Sequence, residues 1–387
     1  MTGPRQNGGC VAIRNVLVTG GAGYIGSHLV DALVGRDYAV TVLDNLEPQV
    51  HRSGTWPSYA NPKVRYVRGD VRDRSVFEPL VLEAEAVVHF GAAVSVGQSM
   101  YQIDRYVDVN TRGTALLLDI LVNTKHKVEK VIVASSIGVY GEGAYLCTAC
   151  GPVAPTIRSE AQLAARDWEQ HCPSCGAHVF SIPTPEDKAL YRDNIYSMTK
   201  YHQEEMVLLI GKTYSIPAVA PRFFNVYGPR QSLSNPYAGV AAIWLSRLMN
   251  NKQPVVFEDG GQLRDFVSIH DVVDCLTLML ETSGADYLPV NVGSGETVTI
   301  LEIAQLLKRL LGSSVEPQVT SAGRKFDIRH NTADITVARE KLGYAPKVSL
   351  EAGFTELIEW AKTTPDVAVD FFEKAYGELK AKGLLVG

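Results

Sequence analysis

The sequence predicts an α/β protein built on a doubly wound parallel sheet, with a smaller C-terminal lobe. Short β-rich runs alternate with helical stretches over the first 135 residues, which is typical of βαβ units. A glycine-rich turn joins the first strand to the first helix. The periodicity is lost at residues 142–190, which we interpret as an insertion carrying two Cys-x-x-Cys pairs.

Length and charge limit the possible functions. The chain has 387 residues, of which 46% are hydrophobic and 20% charged, and its formal net charge is -5. This composition favours a globular protein that binds neither nucleic acid nor a membrane surface. No apolar run approaches the roughly 18 residues of a membrane span, and residues 1–10 lack the apolar core of a secretion signal. We therefore expect a cytoplasmic protein.

The spacing of apolar residues predicts the elements in order. Strands are predicted at Asn15–Val18, Val40–Leu43, Val64–Arg68, Ala86–Phe90, Lys130–Ala134 and Ala218–Arg222. Helices are predicted at Tyr24–Val34, Ser75–Leu80, Ile103–Asn123, Tyr196–Lys212, Gly239–Asn250, Asp271–Thr282, Leu301–Leu311 and in the C-terminal tail. The predicted Rossmann-type domain covers residues 14–225, and residues 226–387 mainly form the smaller lobe.

The first strand runs into a turn with glycines at three-residue intervals. Gly20 and Gly23 allow a tight turn and a close approach to a pyrophosphate, and Gly26 lets the helix pack on the sheet. The helix N-terminus adds amides and the positive end of the helix dipole. Asp44, at the end of the second strand, can bind a ribose diol and would repel a 2′-phosphate. This repulsion predicts NAD rather than NADP. Asp70 can meet an adenine edge.

A proton-transfer pair follows the fifth strand. Tyr196 and Lys200 stand four residues apart, so they share one face of the predicted helix. Ser136 ends the fifth strand, where ligands of parallel sheets bind. The nearby ammonium and a nicotinamide cation would both lower the phenol pKa from its usual value of about 10. We predict that Tyr196 is a general base and that Ser136 orients the substrate hydroxyl.

The insertion carries a pattern typical of a metal site. The predicted zinc ligands are Cys147, Cys150, Cys172 and Cys175, in two Cys-x-x-Cys pairs. Four thiolates close the coordination shell, so the zinc is predicted to be structural. His171 and His178 lie nearby and are either bystanders or alternative ligands. A redox pair is less favoured, because neither pair sits on a thioredoxin-like βαβ unit. Cys10 and Cys275 have no such spacing.

Further motifs extend along the chain. They read TGGAGYIGS at 19–27, LDNL at 43–46, GDVRD at 69–73, HFGAAVSVGQS at 89–99, DVNTRGT at 108–114, SSIGVYG at 135–141, YSMTK at 196–200, PRFFNVYGPRQ at 221–231 and EDGGQLRDFVSIHDV at 258–272. With these motifs the chain, from residue 14 to about residue 361, resembles an extended short-chain dehydrogenase/reductase of the nucleotide-sugar epimerase and dehydratase family.

The resemblance implies bound NAD and a nucleotide-diphosphate sugar as substrate. Its implied catalytic residues are Ser136, Tyr196 and Lys200. Its implied cofactor residues are Gly20, Gly23, Tyr24, Ile25, Gly26, Asp44, Asn45, Asp70, Val71, Ala92, Tyr196 and Lys200. Its implied substrate residues are Ser136, Asn225, Val255, Phe257, Arg264 and Arg324. Of these, Arg264 and Arg324 are assigned to the diphosphate, because the two nitrogens of a guanidinium group match phosphate oxygens. A solvated surface position is expected for Arg329 more than for Arg264.

One departure from the family pattern narrows the reaction. Members that dehydrate carry an Asp-Glu pair directly after the active-site Ser or Thr, and decarboxylating members keep a Glu. This chain has Ile137 and Gly138 there, which cannot transfer protons. The resemblance then implies an NAD-dependent isomerase that epimerises the sugar, at C4, through a transient 4-keto sugar. The alternatives are a net 4-ketoreductase or dehydrogenase and a non-catalytic NAD-sensing or zinc-ribbon protein.

The insertion also helps to predict the identity of the sugar substrate. Together with DNLEPQVH at 44–51 and AAVSVGQSMYQIDRY at 92–106, it resembles the zinc-bearing dTDP-L-rhamnose 4-epimerases. This implies interconversion of dTDP-L-rhamnose and dTDP-6-deoxy-L-talose, with Val94 and Val96 as an apolar wall for the sugar methyl. UDP-glucose/UDP-galactose epimerisation is the alternative, since it needs the same catalytic residues. The family pairs helices like Ile103–Asn123 and Tyr196–Lys212, so the resemblance implies a homodimer.

Overall fold

A computed structural model of the protein describes residues 13–235, 237, 239–364 and 369–386. Cys10 lies outside the described residues. The strands are β1 (Asn15–Thr19), β2 (Ala39–Asp44), β3 (Arg65–Arg68), β4 (Ala86–His89), β5 (Lys130–Val133), β6 (Ser135–Ser136), β7 (Ala144–Cys147), β8 (Gly151–Val153), β9 (Phe180–Ile182), β10 (Ala218–Phe223), β11 (Asn225–Tyr227), β12 (Val255–Val256), β13 (Leu263–Arg264), β14 (Phe266–Ser268), β15 (Leu288–Val292), β16 (Val298–Thr299), β17 (Gln318–Val319), β18 (Gly323–Arg324), β19 (His330–Asn331) and β20 (Leu385–Val386).

The helices, again in chain order, are α1 (Tyr24–Val34), α2 (Arg74–Glu83), α3 (Val96–Ser99), α4 (Ile103–Tyr106), α5 (Gly113–Asn123), α6 (Glu160–Ala164), α7 (Ile195–Tyr214), α8 (Val240–Met249), α9 (Ile269–Glu281), α10 (Ile300–Leu311), α11 (Thr336–Leu342), α12 (Leu350–Thr363) and α13 (Phe372–Ala381). Val107–Arg112 forms a π-helical turn between α4 and α5, and Ile137–Tyr140 forms a 3-10 turn.

The main sheet is parallel and doubly wound, as predicted. Its strand order is β15-β10-β5-β4-β1-β2-β3, and β6 also pairs with β10. The six predicted strands are confirmed, each to within one residue at either end. β1 and β4 are neighbours where the order of the strands reverses. In open parallel sheets, ligands bind in the crevice outside the C-terminal ends of such strands.

Helices cover both faces of this sheet, because successive side chains of a strand point to opposite sides. In β1, Val16 and Val18 pack into the apolar core that α1 and α9 complete. Leu17, between them, packs into the core formed with α2, α5 and α7.

A segment after residue 226 returns to the main sheet. α9 packs against α1, and β15 pairs in parallel with β10. This return is not predicted from the sequence, where residues 226–387 are assigned mainly to the smaller lobe. The reason lies in β15, whose five residues include Pro289. Proline normally interrupts a strand pattern and is tolerated here because β15 is the edge strand.

The smaller lobe has its own apolar core, to which α8, α10 and α12 contribute Trp244, Leu307 and Phe354. Short strands join this lobe to the main sheet. Asn225 begins β11, directly after β10, and Arg264 ends β13. Two predicted substrate residues are thereby placed where the lobe meets the sheet.

The insertion at 142–190 forms a separate small unit. Its strands make an antiparallel sheet in the order β8-β7-β9, above a small core of Tyr145, Cys147, Cys172 and Val179. An isolated bridge between Thr184 and Ala333 connects its end to the segment that follows β19.

Candidate active site

A cavity of about 290 Å³ lies at the C-terminal ends of the strands that flank the reversal of order. The predicted cofactor residues that line it are Gly20, Asp44, Asn45, Asp70, Val71 and Ala92. Gly23 caps the N-terminus of α1, whose first residues include Tyr24, Ile25 and Gly26. The structure therefore places these residues around one crevice and the helix end that adjoins it.

The glycine turn has the geometry that a close-packed phosphate site requires. Gly20 has φ +69°, and a Cβ there would lie 2.9 Å from the backbone nitrogen of Gly91. A Cβ on Gly26 would lie 2.4 Å from the carbonyl oxygen of Gly20, so α1 could not approach β1 with a side chain at this position. Gly23 supplies no side-chain cap, which leaves the first amides of α1 available to an anion.

The two acidic residues of the crevice are held differently. Asp44 is buried, and its carboxylate oxygens accept hydrogen bonds from the backbone nitrogens of Ala22 (3.0 Å) and Leu46 (2.9 Å). Asp70 pairs with Arg72 at 2.7 Å and accepts from the Asn45 amide. These hydrogen bonds, led by those from Arg72, lower the Asp70 pKa to about 2. Both carboxyls are thus oriented at the crevice before any ligand enters.

Ser136, Tyr196 and Lys200 come together at the same edge of the sheet. Ser136 ends β6, opposite Phe223 of β10. Tyr196 lies in the first turn of α7, whose N-terminus is capped by Asn194, and its backbone nitrogen donates to the Ser99 hydroxyl at 3.0 Å. Lys200 follows one turn later and is 3% exposed. A serine, a phenol and an amine so arranged can hold and move a proton on a substrate hydroxyl.

Burial controls the proton affinities of this set. It raises the pKa of Tyr196, which the interaction with Ser136 lowers in part. Burial also lowers the pKa of Lys200 to about 7, and the Lys200 amine donates to the Gln203 side-chain oxygen at 2.9 Å. In the protein alone, desolvation therefore outweighs the lowering of the phenol pKa that we predicted from Lys200.

A buried polar network behind Lys200 is not predicted from the sequence. Gln203 donates to the Thr114 hydroxyl at 2.7 Å, and Thr114 lies 3.2 Å from the His89 ring. Asn110, in the π-helical turn, exchanges two hydrogen bonds with the backbone of Ala93. π-Helical turns are frequent at functional sites. The motif at 108–114 was the available signal, but it carries no residue type that by itself indicates chemistry.

The predicted diphosphate arginines share one carboxylate. Arg264 is buried, and its guanidinium donates to the carbonyl oxygens of Ile328 (2.7 Å) and Arg329 (2.9 Å). Asp327 lies 2.6 Å from Arg324 and 3.6 Å from Arg264. The two guanidinium groups are therefore adjacent and could receive two neighbouring phosphates.

The remaining predicted substrate residues of this region are Phe257, Val255 and Asn225. The Arg324 guanidinium stacks over Phe257 at 4.9 Å, and Val255 is buried in β12, two residues before that ring. The backbone nitrogen of Asn225 donates to the Asp265 carbonyl at 3.0 Å. The side-chain oxygen of Asn225 is buried and has no partner within the described part of the chain. Such an unpaired acceptor is suited to a substrate hydroxyl or amide.

Arg329 is not on the surface, so that expectation is wrong. Its side chain is 2% exposed and pairs with Glu169 (2.5 Å), Asp259 (2.7 Å) and Glu258 (3.1 Å). A buried guanidinium needs such partners because burial without them is costly. The partners lie far apart in the sequence, which is why no local pattern reveals them.

The four predicted metal ligands converge. The sulfur atoms of Cys147, Cys150, Cys172 and Cys175 all lie within 4.8 Å of one another. One cysteine of each pair is buried and the other exposed. The ring centroids of His171 and His178 lie 4.7 Å apart with the rings tilted by 41°, and His171 hydrogen-bonds to Asp167 instead of joining the cluster. Four converging thiols at these distances fit a tetrahedral zinc shell.

The fold and the site define an enzyme of the extended short-chain dehydrogenase/reductase class. The model of the NAD dependent epimerase/dehydratase family matches residues 16–158 and 174–293, and the chain belongs to this family. The predicted family is thereby confirmed. The gap in the match, at 159–173, falls inside the insertion. Within the described residues, no helix is long and apolar enough to cross a membrane.

Relatives of known name cover nearly the whole chain. It is 35% identical over 358 residues to the dTDP-L-rhamnose 4-epimerase of Burkholderia thailandensis (92% of this chain, 96% of the relative). It is 26% identical over 352 residues to the dTDP-glucose 4,6-dehydratase of an Actinoplanes species (89% and 97%). The family alone therefore does not separate epimerisation from dehydration.

Solved structures agree with the fold. The UDP-glucose 4-epimerase of Thermotoga maritima with UDP-glucose has a TM-score of 0.74 at 31% identity, covering 91% of this chain and 99% of that one. The UDP-glucuronic acid 4-epimerase of Bacillus cereus, in complex with UDP-glucuronic acid and NAD, has a TM-score of 0.74 at 26% identity, covering 90% and 99%.

Proposed function

We propose that the protein is an NAD-dependent 4-epimerase of a nucleotide-diphosphate sugar. The observation that carries this proposal is the convergence of Ser136, Tyr196 and Lys200 beside the crevice, with Ile137 and Gly138 where an acid–base pair for water loss would stand. The site can therefore exchange a proton with one hydroxyl but has no second proton-transfer pair there.

The crevice fits NAD. The amides at the start of α1 are available to an anion, Gly20 packs directly on the backbone of Gly91, and Asp44 offers carboxylate oxygens to a ribose diol. When bound, NAD would accept the C4 hydride and return it, and its cationic ring would favour the Tyr196 phenolate.

The residues of this chain would then divide the remaining work. The Tyr196 phenolate takes the proton of the C4 hydroxyl as the C4–H bond is oxidised, and returns it when the ketone is reduced. Ser136 holds the same oxygen by a hydrogen bond. Arg264 and Arg324 hold the diphosphate while the keto sugar turns its other face. Inversion at C4 would result, because the turned keto sugar would present its opposite face to the hydride that NAD would supply.

We infer dTDP-L-rhamnose and dTDP-6-deoxy-L-talose as the substrate pair. The 35% identity to a named dTDP-L-rhamnose 4-epimerase supports this. The Val94 and Val96 side chains, on either side of the start of α3, are exposed and available to contact a sugar methyl group. UDP-glucose/UDP-galactose is the second candidate, favoured by the likeness to the Thermotoga maritima enzyme.

A comparison of two substrates tests the proposal. We expect turnover of dTDP-L-rhamnose without added nicotinamide, at a higher kcat/KM than UDP-galactose. An apolar wall rejects an added hydroxyl only about 100-fold, so slow turnover of UDP-galactose is compatible. A preference for UDP-galactose would overturn the choice of sugar. Accumulation of NADH in proportion to substrate would instead support a net dehydrogenase and overturn epimerisation.

We also propose one structural zinc ion, held by Cys147, Cys150, Cys172 and Cys175. The support is the convergence of four sulfur atoms in a small unit with few apolar residues. Four thiolates leave no coordination site for substrate, so the ion would supply folding energy to the insertion and no Lewis-acid chemistry.

We infer a homodimer that works in the cytoplasm. Ile103 and Val107, around α4, and Met198 and Leu209, on α7, are exposed although apolar. Exposed apolar side chains on neighbouring helices are typical of an interface. Light scattering of the purified protein tests this, and a monomeric mass would contradict it.

A further inference from the structure

The insertion and the substrate lobe meet in a buried charge cluster, which we define as Glu142, Arg158, Glu258 and Arg329. Glu142 and Arg158 belong to the insertion, and Glu258 and Arg329 belong to the lobe. The four residues are between 0% and 6% exposed. The mechanism proposed above uses none of them, yet burying four charges is costly unless their geometry is closely matched.

The strongest contact in the cluster joins the two units. The Arg158 guanidinium donates to both carboxylate oxygens of Glu258, each at 2.8 Å. Arg329 donates to the same carboxylate at 3.1 Å. Two-pronged pairs of this kind fix the orientation as well as the distance of their partners. Arg158 thereby fixes a lobe carboxylate from outside the lobe.

Glu258 stands in a conformation that needs such support. Its φ is +57°, in the left-handed region that side chains other than glycine rarely adopt. Residues persist there when the surrounding structure determines their position. Glu258 directly follows Phe257, which is assigned above to the substrate, and its backbone nitrogen donates to the Ala322 carbonyl at 2.9 Å. The ion pair with Arg158 therefore constrains the backbone next to Phe257, which would contact the nucleotide.

A second connection leads from the insertion to Arg264. The Glu142 carboxylate accepts the backbone N–H of Arg329. The carbonyl oxygen of Arg329 in turn accepts the Arg264 guanidinium at 2.9 Å. One residue, Arg329, is thus held through its backbone nitrogen and its side chain, and it orients a proposed diphosphate ligand through its carbonyl.

We propose that Arg158 is a positioning residue for the nucleotide-diphosphate end of the substrate. Through Glu258 and Arg329 it sets the Phe257 backbone and the Arg264 guanidinium. The insertion is then part of the substrate site without touching the reacting carbon. This inference rests on the proposed function, because that function assigns Phe257 and Arg264 to the substrate.

The test compares nucleotide binding with stability. In Arg158→Met we expect the Kd for dTDP or UDP, and the KM for the nucleotide sugar, to rise roughly 10-fold through misplacement of these groups. We expect kcat and the Kd for NAD to stay at the wild-type values. The matched control is Lys130→Met, which breaks another buried pair, with Asp286 at 2.6 Å, at the start of β5. This control should lower the unfolding temperature and leave nucleotide binding unchanged.

Two results would overturn the inference. One is a folded Arg158→Met protein with wild-type affinity for dTDP and UDP, and the other is an equal loss of affinity in Lys130→Met. If Arg158→Met does not fold, the same binding measurements are made on Arg158→Lys, which keeps the charge and loses the two-pronged contact. Wild-type affinity of Arg158→Lys for dTDP and UDP would also contradict the inference. Failure of the wild-type protein to bind either nucleotide would instead contradict the proposed function.

Discussion

Burial moves the pKa values of Tyr196 and Lys200 in opposite directions, and this is the central fact of the site at the scale of single residues. The phenol pKa rises and the ammonium pKa falls to about 7, so both groups are pushed toward their neutral forms. A positive charge entering the site would reverse the effect on the phenol. Binding of the nicotinamide cation would therefore favour the Tyr196 phenolate.

Replacing Tyr196 tests its role directly. Tyr196→Phe removes the phenol and leaves the glycine turn and Asp44 in place, so turnover should fall by about 10²-fold or more while NAD still binds. Tyr201→Phe, on the same helix, is the control and should retain activity. Steady-state rates and NAD titration check this, and near-wild-type turnover of Tyr196→Phe would refute the assignment.

We expect His89 to make the protein less stable in acid. The ring is 1% exposed between the Thr19 and Thr114 hydroxyls, and burial lowers its pKa from 6.5 to about 3. Between these two values the unfolded chain binds a proton that the folded protein does not. The free energy of unfolding therefore falls as the pH drops below 6.5, by about 2 kcal/mol at pH 5 from this group alone.

We expect His89→Gln to be less stable than the wild type at pH 7.5 but to lose less stability between pH 7.5 and 5. Denaturant unfolding at both pH values measures the difference. The exposed His202→Gln is the control and should keep the wild-type slope. An unchanged slope in His89→Gln would show that this ring is not the titrating group.

At the scale of elements, the insertion is the part of the fold that most needs a stabilising cross-link. Its strands have three or four residues each, and its core contains Tyr145, Cys147, Cys172 and Val179. So few apolar side chains cannot offset the conformational entropy of ordering such a segment. A metal bound by the folded form alone would supply the missing free energy.

Cysteine replacement tests this reasoning. The wild type should carry one zinc per chain by elemental analysis, whereas Cys172→Ser should lose it and unfold at a lower temperature, by about 2–4 °C per kcal/mol lost. Cys275→Ser, in the buried face of α9, should keep its zinc. Metal-free wild-type protein of unchanged stability would contradict the proposed site.

At the scale of the whole molecule, the apolar core of the main sheet is shared by residues that precede and residues that follow position 226. One apolar cluster runs from Val16 in β1 through Leu276 in α9 to Tyr344 after α11. The chain returns from the lobe to add α9 and β15 to the main sheet, so the lobe is connected to the sheet on both sides of this segment. We expect the two parts to unfold together.

Leu276→Ala tests the shared core. Leu276 is 0% exposed, so the cavity left by the truncation should cost about 2–5 kcal/mol. Far-UV circular dichroism and tryptophan fluorescence should show the same shifted midpoint, because Trp56 packs on the shared core and Trp244 lies in that of the lobe. Val319→Ala, at a site 43% exposed, should be nearly neutral. Separate midpoints for the two probes would contradict cooperative unfolding.

The sequence by itself determined the parallel sheet, the glycine turn at Gly20, the Tyr196/Lys200 helix and the two cysteine pairs. Each of these is encoded over a few residues, in the period of apolar side chains or in a fixed spacing, and local sterics are enough to produce it. The same local signals missed β15, because its proline reads as an interruption, and they could not assign a role to Asn110 or Thr114.

Only the tertiary structure decided which charges are buried together. Arg158 and Glu258 are 100 positions apart, and Glu142 and Arg329 are 187 apart. A charged residue has the same local pattern on a solvated loop as in a buried pair, so Arg329 was expected on the surface. Whether Arg329 can be buried depends on whether packing brings matching carboxylates within reach. Without such carboxylates, the cost of desolvating the guanidinium excludes it from the interior. With them, the paired geometry stabilises the buried charge.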